Sequence, residues 1–115
     1  MMIELKECNP QLLNDLPYIR AAMTQAANAA GATIIGESFH QFHPQGVTGI
    51  LAIAESHLCI HTWPEYGYAA ADVFTCGESF DPEKAARILI EKLESQNSSL
   101  TEHRRGILTE PVTSS

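Results

Sequence analysis

No apolar run in this sequence approaches the roughly 20 residues that a membrane-crossing helix needs, so no membrane partner is expected. Basic residues are scarce as well: seven Lys and Arg stand against fourteen Asp and Glu, a formal charge of −7. That balance excludes a nucleic acid gripped through its phosphates and suits a cationic small substrate. The opening residues carry neither the basic nor the apolar region of a secretory signal. Cys8, Cys59 and Cys76 form an odd set without the paired spacing of a metal site. These absences predict a cytoplasmic protein with free thiols. Repeats, linkers and low-complexity blocks are missing too, so residues 1–115 are expected to form one domain, which at this size buries roughly 65% of the unfolded chain's surface.

What is present is ordinary in bulk, with 44% hydrophobic and 18% charged residues, and patterned in detail. Residues 1–6 read as a strand ended by Cys8-Asn9-Pro10. A helix is predicted over 15–30, where Leu16, Ile19, Met23, Ala26, Ala27 and Ala30 recur at three- and four-residue steps, with Asp15 as N-cap and Gly31 as the left-handed terminator. Strands are predicted over 32–39, 47–54, 56–62 and 68–76, separated by a polar aromatic connection and by a turn at Pro64 and Gly67. Asp81-Pro82-Glu83 opens a second helix running to about 95 and burying Ala86, Leu89, Ile90 and Leu93. An edge strand is expected over 99–105 and a loose tail over 109–115. The pattern predicts an α+β two-layer sandwich, a mainly antiparallel sheet with two helices on one face. The strand over 47–54 is too apolar to be wet on one side, which points to a homodimer covering the other face.

Chemistry concentrates between Glu55 and Tyr68, where a serine follows a carboxylate and is joined by two histidines, a thiol, the only tryptophan and the Pro64-Glu65 pair. By type alone Ser56 is a strand serine satisfied by neighbouring backbone, and no Gly-x-Ser-x-Gly elbow surrounds it. His57 and His61 have no evident acidic third ligand, so no metal is expected, and His40 and His43 read as loop residues. Phe42 and Trp63 are either core or interface aromatics, or faces on which a planar base or a sulfonium stacks.

In combination these residues resemble a known signature. Glu55-Ser56-His57-Leu58, the run from Ile60 to Ala70 and Asp72-Val73-Phe74-Thr75-Cys76-Gly77 are similar to the self-cleavage and substrate segment of the prokaryotic pyruvoyl-dependent S-adenosylmethionine decarboxylases. Phe39-His40 and Gly46-Val47-Thr48-Gly49 resemble the segment before it, and the likeness spans about 3–106. It implies that Ser56 Oγ attacks the carbonyl of Glu55, that the bond between them breaks, and that Ser56 becomes a pyruvoyl group. Residues 1–55 would then form a β chain and 56–115 an α chain. The mature protein would hold S-adenosylmethionine as a Schiff base and release CO₂ and decarboxylated S-adenosylmethionine, an aminopropyl donor for spermidine. The resemblance makes His61 the proton acceptor in processing, Cys76 the proton donor in decarboxylation, Phe42 and Trp63 the adenine stack and Glu65 the ribose acceptor. Thr48 matches a serine that assists processing, a departure that keeps the hydroxyl but adds a methyl and stiffens χ1.

Ser56 and His61 are an odd number of residues apart, so on one straight strand they face opposite sides about 17 Å apart. Either the strand bends sharply, or each site takes Ser56 and Cys76 from one protomer and Phe42, Thr48, His61, Trp63 and Glu65 from another; the second agrees with a dimer of αβ protomers bearing interfacial sites. Two other readings stay open: a pyruvoyl decarboxylase of arginine or ornithine, against which Phe42, Trp63 and Glu65 argue, and an uncleaved regulatory homologue.

Overall fold

Alternation along the strands decides which side of the sheet is core. In β3 (Val47–Ile53), Val47, Leu51 and Ile53 are buried while Thr48, Ile50 and Ala52 face the other way. β4 (Ser56–Trp63) repeats the rule, with Ser56, Leu58, Ile60 and Thr62 inward and His57, Cys59, His61 and Trp63 outward. The computed structural model describes residues 1–54, 56–75 and 80–101, with Thr75 described by its backbone alone. Together with β1 (Met2–Lys6), β2 (Ile34–Gln41), β5 (Tyr68–Thr75) and β6 (Asn97–Thr101), these strands form one six-stranded sheet of order β2-β3-β4-β5-β1-β6. Every described pairing is antiparallel.

The helices cover one face. From α2 (Leu16–Ala29), Ile19, Ala22, Met23, Ala26 and Ala27 enter the core, and from α3 (Pro82–Lys92), Ala85, Ala86 and Leu89, to meet Ile3, Leu5, Leu51, Leu58, Ile60 and Val73 of the sheet. Both helix starts follow the expected chemistry: Asp15 accepts from Tyr18 N at 3.1 Å and Asp81 from Lys84 N at 3.2 Å, each followed by a proline in the first turn. The α+β sandwich is therefore as expected, with an addition. A third, four-residue helix, α1 (Pro10–Leu13), sits where a simple strand end was expected, because Asn9 caps it by accepting from Gln11 N at 3.0 Å.

Boundaries differ for local reasons. β2 starts at Ile34 because Ala32 N still donates to Ala27 O at 2.9 Å, a bond that terminates α2, and it runs on to Gln41 so that His40 is a strand residue and not a loop one. α3 ends at Lys92, short of 95, as the chain turns through a left-handed Glu94 at φ 57°. β6 lies at 97–101; the expected residues 102–105 and the tail at 109–115 lie outside the described residues. At Gly49 the lack of a side chain matters, because the Phe39 ring lies where its Cβ would be and the pair Phe39↔Gly49 closes the sheet's inner face.

The opposite sheet face has no helix packed on it among the described residues. It presents Thr48, Ile50, Cys59, His61, Trp63, Ala70, Asp72 and Met2, and Ile50 and Met2 remain 41% and 44% exposed.

Candidate active site

The β3–β4 register sets Thr48 directly across from His61, and Thr48 Oγ1 lies 3.1 Å from His61 Nδ1, a hydrogen bond whose donor depends on the imidazole tautomer. Two residues on, the alternation returns Trp63 to the same face. Trp63 is flanked by His61 and Tyr68, whose rings are tilted to it by 38° and 37° with centroids 6.3 and 5.4 Å away. Tyr68 is fixed in turn by donating its hydroxyl to Glu4 Oε2 at 3.0 Å; burial, then the bond to Glu4 and its charge, raise the phenol's pKa above the ordinary value. Beyond Trp63 a 3-10 turn, Pro64–Tyr66, replaces the simple turn expected there and carries Glu65 outward. Gly67 closes it at φ 60°, with its carbonyl taking the Cys8 N–H at 2.9 Å.

The fourth wall is the turn 42–46. Phe42 N donates to Gly46 O at 2.8 Å, which closes the turn, and Phe42 packs edge-on against His40 with centroids 4.5 Å apart. Phe42, Thr48, His61, Trp63 and Glu65 thus line a single cleft of about 330 Å³, with Gln45, Gly46 and Thr62 completing it. That volume lies at the low end of small-molecule sites, and Phe42 and Trp63, 47% and 39% exposed, flank it with two aromatic faces. A second hollow of about 280 Å³, lined by Met2, Cys59, His61, Ala70 and Asp72, adjoins it on the open sheet face, so His61 belongs to both. A larger but shallow depression of about 650 Å³ runs along α2 and contains none of these groups.

Ser56 is elsewhere. It begins β4 on the buried face, 8% exposed, opposite Ile53, and its Oγ has no hydrogen-bond partner among the described residues. The neighbouring backbone expected to satisfy it supplies no partner among the described residues. Such a hydroxyl forgoes about 1–3 kcal/mol, a cost that a structural serine would be expected to avoid. Glu55 and Cys76 lie outside the described residues. His57 and His61 share the open face but stand about 13 Å apart along the strand, too far to hold one ion, and no group of three His, Cys, Asp or Glu fit for a metal occurs among the described residues.

The family model of S-adenosylmethionine decarboxylase matches residues 1–106. The chain belongs to that family. It is 53% identical over 109 residues to an S-adenosylmethionine decarboxylase proenzyme of Thermodesulfovibrio yellowstonii, a match covering 95% of this chain and 81% of that protein. It is 50% identical over 107 residues to the proenzyme of Pseudomonas aeruginosa, covering 93% of this chain and 67% of the other. The crystal structure of the adenosylmethionine decarboxylase of Aquifex aeolicus superimposes with a TM-score of 0.80 at 35% identity, over 96% of this chain and 91% of that one.

Two polar residues beside this cleft were not singled out from sequence. Thr62, 6% exposed, takes the Val47 N–H at 2.8 Å and donates to Leu13 O at 2.8 Å, tying β3, β4 and α1 together under the cleft. Asn14 accepts from Gly46 N at 2.9 Å and from Gln41 Nε2 at 3.0 Å. Thr62 was detectable as a polar residue on the apolar phase of Leu58 and Ile60; Asn14 carries no such signal.

Proposed function

We propose that this chain is a self-processing decarboxylase of S-adenosylmethionine, active as a homodimer. Each site combines Ser56 and Cys76 of one protomer with Phe42, Thr48, His61, Trp63 and Glu65 of the other. The single observation that carries this is the convergence of those last five residues on one cleft from which Ser56 is absent. In one protomer Ser56 and His61 stand five residues apart along β4, about 17 Å, out of each other's reach, which supports a site shared between two copies. The exposed apolar residues of the open face, Ile50 and Met2, give that copy a surface to cover.

Processing begins at a hydroxyl suited to attack, since the Ser56 Oγ has no hydrogen bond to give up among the described residues. It attacks the Glu55 carbonyl carbon, the amide becomes an ester, and the Ser56 nitrogen takes the proton. His61, paired with Thr48 at 3.1 Å, then accepts the Ser56 Cα proton as the ester carboxylate leaves. Hydrolysis of the resulting dehydroalanine releases ammonia and leaves a pyruvoyl group at the new end of 56–115. When formed, that group supplies the electron sink that α-decarboxylation needs and no ordinary side chain offers.

The chain's own residues do the rest. Phe42 and Trp63 hold the adenine between them, Glu65 accepts the ribose hydroxyls, and Cys76 returns a proton to the substrate's Cα. The net charge of −7 favours a sulfonium substrate over an anionic one. A basic amino acid such as arginine brings neither a purine to fill the space between the aromatic walls nor ribose hydroxyls for Glu65.

Denaturing mass spectrometry tests this directly. Two fragments, each about half of 12.6 kDa and one of them trapped by borohydride in the presence of S-adenosylmethionine, are expected. An active enzyme that remains a single species of full mass refutes the proposal.

A further inference from the structure

The turn carrying Phe42 is hydrogen-bonded to the body of the protein by the Asn14 side chain, and Gly46 also packs close to the Thr62 carbonyl. Asn14, the C-terminal cap residue of α1, is exposed, yet its Oδ1 accepts both the Gly46 N–H at 2.9 Å and a Gln41 Nε2 hydrogen at 3.0 Å. Gln41 Nε2 also donates to Gly46 O at 2.9 Å, the same carbonyl that takes the Phe42 N–H at 2.8 Å. Both sides of Gly46 are thereby gripped, and Gly46 itself sits at φ 112°, where a side chain would be strained. One residue earlier, Leu13 O receives the Thr62 hydroxyl, and Thr62 lies between His61 and Trp63. Two adjacent residues of α1 and its cap thus tie down opposite walls of one cleft: the Phe42 wall through Asn14, and the His61–Trp63 wall through Thr62.

We propose that Asn14 is a positioning residue for the nucleoside half of the substrate, setting the separation of Phe42 from Trp63 while taking no part in the chemistry at Ser56. This rests on the reading of Phe42 and Trp63 as the adenine-holding pair. Asn14 touches neither substrate nor reacting atoms; it acts through the Gly46 peptide. Freed from it, the turn 42–46 keeps its internal Phe42–Gly46 bond but not its placement against β4. The effect therefore belongs to substrate affinity and not to self-cleavage.

The test compares Asn14→Leu, which keeps bulk and removes the acceptor, with Asn14→Asp, which keeps an oxygen at the same place. Self-cleavage is followed by denaturing mass spectrometry, kcat and KM are measured with S-adenosylmethionine on the mature enzyme, and Kd is measured for methylthioadenosine, which presents the nucleoside alone. Loss of two partly exposed hydrogen bonds predicts a rise of about tenfold in KM and in the nucleoside Kd for Asn14→Leu, with kcat and the cleaved fraction within about threefold of the parent. Asn14→Asp is expected to restore both constants. The inference is overturned if Asn14→Leu leaves KM and Kd unchanged, if the loss falls on kcat alone, or if Asn14→Asp is as impaired as Asn14→Leu. A parent enzyme that binds neither S-adenosylmethionine nor methylthioadenosine refutes the nucleoside reading and the inference with it, and does so before any substitution is made.

Discussion

Replacing Thr62 by valine removes a hydroxyl and nothing else of consequence, since the two side chains share a shape. The hydroxyl is buried and bonds at 2.8 Å both to the Val47 N–H and to the Leu13 carbonyl. Valine leaves those two backbone groups facing an apolar methyl. Each unpaired buried donor or acceptor costs about 1–3 kcal/mol, and the added methyl returns about 1 kcal/mol, so with two groups unpaired the net loss is about 1–5 kcal/mol. The measurement is urea unfolding at fixed protein concentration in a Ser56→Ala background, which keeps the chain in one piece. With a slope of roughly 1–2 kcal/mol/M for a chain of this size, the midpoint should fall by about 2 M. Thr62→Ser retains both bonds and loses a methyl, so it should cost only about 1 kcal/mol. A Thr62→Val midpoint within error of the parent, or a serine variant weaker than the valine one, would refute the reasoning that this hydroxyl ties α1 to the sheet.

Three further outcomes follow from the structure. Co-expressed Ser56→Ala and His61→Ala protomers, each dead alone, should regain about one working site in four, because half the dimers are mixed and each mixed dimer has one intact site; mixtures with no cleavage and no activity would exclude shared sites. Gly49→Ala places a methyl where the Phe39 ring lies and should destabilise the precursor by about 1–3 kcal/mol in the same urea assay, whereas an unchanged midpoint would show that the ring moves freely. Burial pushes the Cys8 thiol above its ordinary pKa, only partly offset by a hydrogen bond with Ser95. Its contribution to stability is thus complete below the unfolded-state value near 8.5 and is lost as pH rises through the raised folded value, so alkylation at pH 8.5 should be much slower in the native protein than in urea, and equal rates would contradict the burial argument.

Period-two alternation with inward Leu51, Leu58, Ile60 and Val73, and capped starts at Asp15 and Asp81, made the strands and the two long helices legible, because each rests on contacts within a few residues. The α1 helix was missed because Asn9-Pro10 serves equally as a strand stop and as a helix start, and only the bond from Gln11 N to Asn9 distinguishes them. Likewise the five cleft residues could be named from their likeness to a family, and parity along β4 showed that Ser56 stands apart from His61. Asn14 and Thr62 could not be read as site residues. Their roles depend on which distant carbonyls and amides the topology sets beside them, 32 and 49 residues away, and no local pattern encodes that.

The strand order bears on what a break between residues 55 and 56 can accomplish. The first piece supplies β2, β3 and β1, the second β4, β5 and β6, and across the sheet they interleave, with β1 clasped between β5 and β6. Three seams of backbone pairing, β3 with β4, β5 with β1 and β1 with β6, would therefore hold the two pieces in one fabric after the proposed scission. A cut made after such weaving is complete would free a new chain end without setting any fragment loose.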